Sequence, residues 1–145
     1  MMKNELLRHP ISTIKYRFEK SVANRKANFG EFNLGKGSRN PIEIINHMYH
    51  VLYSTRIFLE EENFNAKSPK ALTLKQEIER FDNELISIDK ALNKNELPLN
   101  YSKRLIQGPF SDILTHIGQI SLMQRLNGNP IIGENFFAAA IKTGF

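Results

Sequence analysis

At 145 residues, with 41% hydrophobic and 24% charged side chains, the chain has the composition of one globular domain and not of a disordered segment. It contains no cysteine, which excludes disulfides, thiolate nucleophiles and cysteine-held zinc, so a metal here must be bound by His, Asp, Glu or water. No apolar run approaches a membrane span and no signal-like segment opens the chain, so the expectation is a soluble cytoplasmic protein.

The net charge of +5 is unevenly placed. Up to Asn40, nine basic residues face three acidic ones, a local charge of +6, and the remainder carries −1. Such a segment suits an anion or nucleic acid, but no nucleic-acid reading motif accompanies it, and a solvated helix face is the expectation. Ile11, Ile14, Phe18 and Val22 recur at helical spacing and predict a first helix from Pro10 to about Lys26. From Ala27 to Asn40 the chain is rich in Gly and Asn but carries Phe29, Phe32 and Leu34, which predicts a loop packed down on the domain. Its glycines lack the spacing and the Lys-Ser/Thr ending of a phosphate loop.

Asn40-Pro41-Ile42-Glu43 is a helix start, with Asn40 as N-cap, Pro41 in the first position and Glu43 placed to reach back. The second helix should run to about Glu62 and bury Ile44, Met48, Val51, Thr55, Phe58 and Leu59. His47 borders that stripe, and His50 lies about a quarter-turn away. Ser68-Pro69 and the capping-box sequence Thr73-Leu74-Lys75-Gln76 offer two starts for a third helix, whose seam of Leu74, Ile78, Phe81, Leu85, Ile88 and Leu92 is structural. Residues from Asn95 to Gly108 read as a connection.

The fourth helix is predicted from Pro109 to Leu126, stopped by Asn127-Gly128-Asn129-Pro130. It places Asp112 and His116 one above the other on one face, with Gln119 a turn further on. Ile113, Ile117, Ile120 and Leu126 should turn that side towards the core. A capping or surface Asp beside a half-buried His is one explanation, and a pair of metal ligands completed from another helix is the other. Gly118 weakens a helix interior and suggests that a neighbouring helix or a bound molecule comes close. The tail to Ile141 should form an apolar turn and a short helix folded over one end of the bundle.

Four such segments predict a single all-α four-helix-bundle domain over residues 1–145 with a short C-terminal helix. The second helix with Asn46-His47-Met48, the segment from Gly108 to Gln119, and Arg125-Leu126-Asn127-Gly128-Asn129-Pro130 with Gly133-Glu134-Asn135-Phe136 together resemble the DinB-like (YfiT-like) superfamily of metal-dependent bundle proteins. The closest likeness is His116-Ile117-Gly118-Gln119, which resembles the family's His-Arg-Gly-Gln signature with Ile in the Arg position. The resemblance implies a divalent metal, with Zn, Ni, Mn and Fe undistinguished, held by a second-helix histidine and an i,i+4 pair of histidines on the last helix. Carried over, these are His47, Asp112 in place of the first histidine of the pair, and His116.

Two functions then stand open. One is a metal-dependent enzyme, either a transferase or isomerase acting with a low-molecular-weight thiol or a metal-assisted hydrolase, with His50 or Gln119 orienting water or substrate. The other is a non-catalytic bundle with a degenerate site that acts through dimerisation or partner binding, a homodimer being the expected assembly. Phe29, Phe32, Tyr49 and Phe110 are the aromatic candidates for lining a cleft.

Overall fold

The computed structural model describes residues 2–145. It is all-helical, with no strand among the described residues: α1 spans Glu5–Val22, α2 Pro41–Glu61, α3 Leu74–Leu92, α4 Leu99–Leu105 and α5 Ser111–Leu126. None of these helices is long and apolar enough to cross a membrane.

The cap sequences act as their residue types predict. The Asn40 side chain accepts from the Glu43 amide at 2.9 Å while the Glu43 carboxylate accepts from the Asn40 amide at 3.0 Å. Thr73 and Gln76 form the same reciprocal box, so α3 begins at the second of its two candidate starts. The first helix, by contrast, starts before Pro10 and ends at Val22. Pro10 falls in the second turn, and Asn4, in left-handed conformation, anchors the beginning by donating from its side chain to the carbonyls of Leu92 and Asn95, both at 2.6 Å.

The four long helices form a closed ring. α1 packs on α3 and α5, and α2 packs on the same two from the opposite corner. Asn46 meets Glu77 and Arg56 meets Glu84, so α2 and α3 run parallel and the 62–73 segment returns the chain along the bundle. Phe18 lies edge-on to Phe81 at 4.7 Å and Arg8 pairs with Asp89, so α1 runs against α3. His47 meets Asp112 and His116, and the adjoining groove brings Thr55 beside Gly108, so α5 runs against α2.

The core takes Ile11, Ile14, Phe18, Ile44, Ile45, Met48, Leu52, Phe81, Leu85, Ile88, Ile113 and Ile120, each 2% exposed or less. On α2 the buried stripe therefore runs through Ile45 and Leu52, and Val51, Phe58 and Leu59 lie at its half-buried margin, a phase error of about one residue. Phe29 is buried and Phe32 packs on the core, as expected for a loop held down, but Leu34 is exposed. Leu126, expected on the core side, is also exposed: six residues on from Ile120 it stands about 120° round the helix, and Gln124, fully buried, takes the core position. The charged positions of α1 and α3 are not all solvated. Arg8 is buried in a bidentate pair with Asp89, both contacts 2.8 Å, and Glu77 and Glu84 are buried under Arg80 and Arg56.

Two further corrections concern the C-terminal half. The stretch expected as a connection to Gly108 is helical from Leu99, and Ile106–Phe110 forms a π turn that joins α4 directly to α5. Pro109 has no amide hydrogen, and a turn with one extra residue lets the helix pass it unbroken. The short C-terminal helix is a single 3-10 turn at Phe136–Ala138. The tail runs along α1 and does not cover an end of the bundle: Lys20 donates to Glu134, Arg17 lies over the Phe136 ring, and the Gly144 amide donates to Ser12.

Gly118 is exposed, and a Cβ there would meet nothing within 4 Å, so no neighbouring helix accounts for it. Gly30 is the opposite case: a Cβ would sit 2.9 Å from Ile42 Cδ1 and 3.0 Å from Leu74 Cβ. Replacement by alanine should therefore have opposite signs at the two glycines. In urea unfolding, Gly118→Ala is expected to raise stability by about 1 kcal/mol, and Gly30→Ala to lower it by about 1–3 kcal/mol.

Candidate metal centre

The π turn sets the phase of α5. Leu105 and Phe110 are both buried although five residues separate them, and Ile113, Ile117 and Ile120 continue the same buried side. In an uninterrupted α-helix a five-residue step would place them about 140° apart. With the wider turn, the core side is kept and Asp112 and His116 face α2. The Ser111 hydroxyl donates to the Ile106 carbonyl at 2.5 Å and helps satisfy the widened turn.

On α2, the Asn40 cap fixes where the helix begins, and His47 falls opposite that pair. One nitrogen from each imidazole and one carboxylate oxygen lie within 4.8 Å of one another. His47 Nε2 is 3.3 Å from Asp112 Oδ2, His116 Nε2 is 3.4 Å from Asp112 Oδ1, and the two rings are edge-on with centroids 4.9 Å apart. The His116 side chain is 12% exposed, that of His47 30% and that of Asp112 43%, so the cluster opens to solvent on the carboxylate side.

The electrostatics distinguish the two imidazoles. His116 Nδ1 is 2.8 Å from Gln119 Oε1, and with the amide so assigned the oxygen can only accept, which places the imidazole hydrogen on Nδ1. A neutral His116 then presents a lone pair on Nε2, facing an anionic oxygen. Two electron-rich atoms 3.4 Å apart are poorly matched with nothing between them and well matched by a cation. Each His–Asp separation is that of two ligands of one ion, since ligand atoms about 2.1 Å from a tetrahedral ion stand about 3.4 Å apart. The two oxygens of Asp112 each face one imidazole, and the whole set lies within 4.8 Å. Two imidazole nitrogens and one carboxylate are a common donor set for a divalent ion with open positions. The residues present thus fit the metal that the resemblance implies.

His47 titrates below its ordinary value of 6.5, first because burial disfavours the imidazolium, then because Arg39 and His116 oppose added positive charge; Asp112 pulls the other way. Neutral His47 keeps a nitrogen available to a metal near neutral pH.

All three sequence-derived ligands come together. His50 does not join them: it lines the depression on the far side of Asp112 with Val51, Ser54, Thr115 and Gln107, and its Nδ1 is buried without a hydrogen-bond partner. Gln119 orients His116, which is a different task from holding water or substrate. None of the four aromatic candidates lines either flank of the cluster; Phe29 and Phe110 are in the core, and Tyr49 stacks on Tyr53 beside α3. Arg39 is the residue that sequence reading passed over. It was one charge among nine in the basic segment, and only the fold of the 33–39 loop sets it beside the second-helix histidine. No family model, no curated protein and no solved structure matches the chain.

The direction of the His47 shift carries a pH dependence. A histidine whose pKa is lower folded than unfolded contributes stability fully above the unfolded value and loses it as pH falls through the folded value. Chelator-treated protein should therefore lose stability on acidification below about pH 6.5, and His47→Gln should lose less over the same range. An NMR titration of the His47 ring should give a midpoint below 6.5, moved lower still by Asp112→Asn.

Proposed function

We propose that this chain is a divalent-metal-binding bundle protein of the DinB-like kind, with His47, Asp112 and His116 holding the ion, and that it is a metal-dependent enzyme acting on a small molecule. The observation that carries the reading is the convergence of three donors from two antiparallel helices, with Gln119 turning the His116 lone pair inward. A histidine on the second helix facing an i,i+4 pair on the last is also the arrangement that the sequence resemblance implies.

A bound ion would supply a Lewis acid able to activate a low-molecular-weight thiol for transfer or a water for hydrolysis. The protein's own part is to position and to tune. Asp112 brings a negative charge that the matching histidine of the family would not bring, so the set favours harder ions more than three imidazoles would. Its exposed side leaves the open positions towards solvent and substrate, while the His116 side chain is 12% exposed. Gln119 keeps that imidazole in one tautomer and orientation, a supporting contact of the kind that adds about 10–100-fold to metal affinity.

Metal content is the direct test. Untagged protein dialysed without chelator is expected to carry close to one divalent ion per chain by mass spectrometry, and His47→Ala or His116→Ala to carry little. Gln119→Ala should still bind in a zinc or manganese titration, about 10–100-fold more weakly. Metal absent from wild type, with folding intact, would leave the trio as a hydrogen-bonded cluster and favour a non-catalytic bundle that works by dimerising or binding a partner.

A further inference from the structure

The two flanks of the cluster differ in charge. On the side of His116, a groove of about 510 Å³ is walled by Leu34 and Arg39 from the loop before α2 and by Gln119, Leu122 and Met123 from α5. No Asp or Glu lines it. Arg39 forms no ion pair among the described residues and is exposed. Its guanidinium offers a positive charge and five N–H donors. On the other side, the depression of about 670 Å³ next to His50 has Asp112 as its one formally charged lining residue.

The geometry points to the substrate class of the same site: a small organic anion with an apolar body, its charge held by Arg39 and its body lying on Leu34, Leu122 and Met123, so that its other end reaches His116. This rests on the metal reading above for what happens to that end, but the binding itself does not require the ion. Three observations converge. The volume is that of a small-molecule site. The apolar side chains at the groove include two that are otherwise unaccounted for, Leu34 and Leu122, 42% and 53% exposed, with the buried Met123 beneath. Arg39 and the ring of His116 line the same groove, so an anion held by Arg39 lies beside the cluster. A free inorganic anion would leave the leucines bare, and a neutral or cationic molecule would leave the guanidinium without a counter-charge.

Octanoate is a suitable probe, with 1-octanol as the same body without charge and octylammonium as the opposite charge. In chelator-treated full-length protein, octanoate is expected to shift the Met123 and Leu122 methyl signals saturably in NMR below about 10 mM. Arg39→Gln should weaken it about 10-fold or more, Arg39→Lys should keep part of the affinity, and Leu122→Asp should abolish binding by placing a carboxylate in the groove. Octanoate binding no better than 1-octanol, binding unchanged in Arg39→Gln, or no shift at all in wild type would each overturn the assignment. Because these readings use metal-free protein, a failed metal titration leaves them standing, and a failed groove leaves the metal centre standing.

Discussion

Proline cannot donate a backbone hydrogen bond, and Pro109 sits in the middle of the longest helical run of this molecule. The chain has either to break there or to widen. It widens, by one residue, and the phase of everything downstream is reset. The core residues of α5, Asp112 and His116, and the glutamine that orients His116 all inherit their direction from that turn. A cluster built on a rigid helix is held more closely than one on a loop, and here the rigidity depends on a local departure from regular helix geometry.

What the cluster holds together is an imbalance. Three side chains with lone pairs or negative charge converge, and the hydrogen that might have relieved one contact is committed to Gln119. Around them the positive charges are few and one-sided: Arg39 lies towards the loop, and the opposite flank has none in its lining. Cation in the middle, anion at the side is the charge order that these positions favour. It arises because the basic N-terminal segment is not evenly spread in the fold. Arg8 is consumed by Asp89 and Lys20 by Glu134, which leaves Arg39 as a charge free to act at the site.

Much of this was legible in the sequence, for local reasons. The caps at Asn40 and Thr73 are short-range hydrogen-bond patterns, and the i,i+4 step from Asp112 to His116 is fixed by helix geometry. His47 drew notice from its place at the edge of the buried stripe of the second helix, and the family likeness paired it with Asp112 and His116. The illegible parts are those where distant segments decide. Pro109 reads as a helix start when neighbours are ignored, and becomes interior because Leu105 and Phe110 share one core face. Gly118 suggested a close approach, and its surroundings are open. Leu126 is apolar but lies off the face of Ile113, Ile117 and Ile120, and the polar Gln124 takes the buried place by bonding to the Ala23 carbonyl. The tail was expected over an end of the bundle because its apolar residues looked for cover; it lies along α1 because Glu134, Phe136 and Gly144 find Lys20, Arg17 and Ser12 there.

The seating of α1 has an implication for how the protein is made. Its polar partners stand 81 positions away at Asp89, 132 at Gly144 and 134 at Thr143, and its apolar face is completed by α3 and α5. Synthesis releases α1 before α3 and α5, so the surfaces that bury Ile11, Ile14 and Phe18 do not yet exist when it emerges. A nascent chain therefore carries an uncovered amphipathic helix until α5 has emerged, and closure joins segments far apart in sequence, slower than the short loops of a bundle would suggest. During that interval the newborn chain is the kind of client that holding chaperones recognise, and production at lower temperature should favour its recovery.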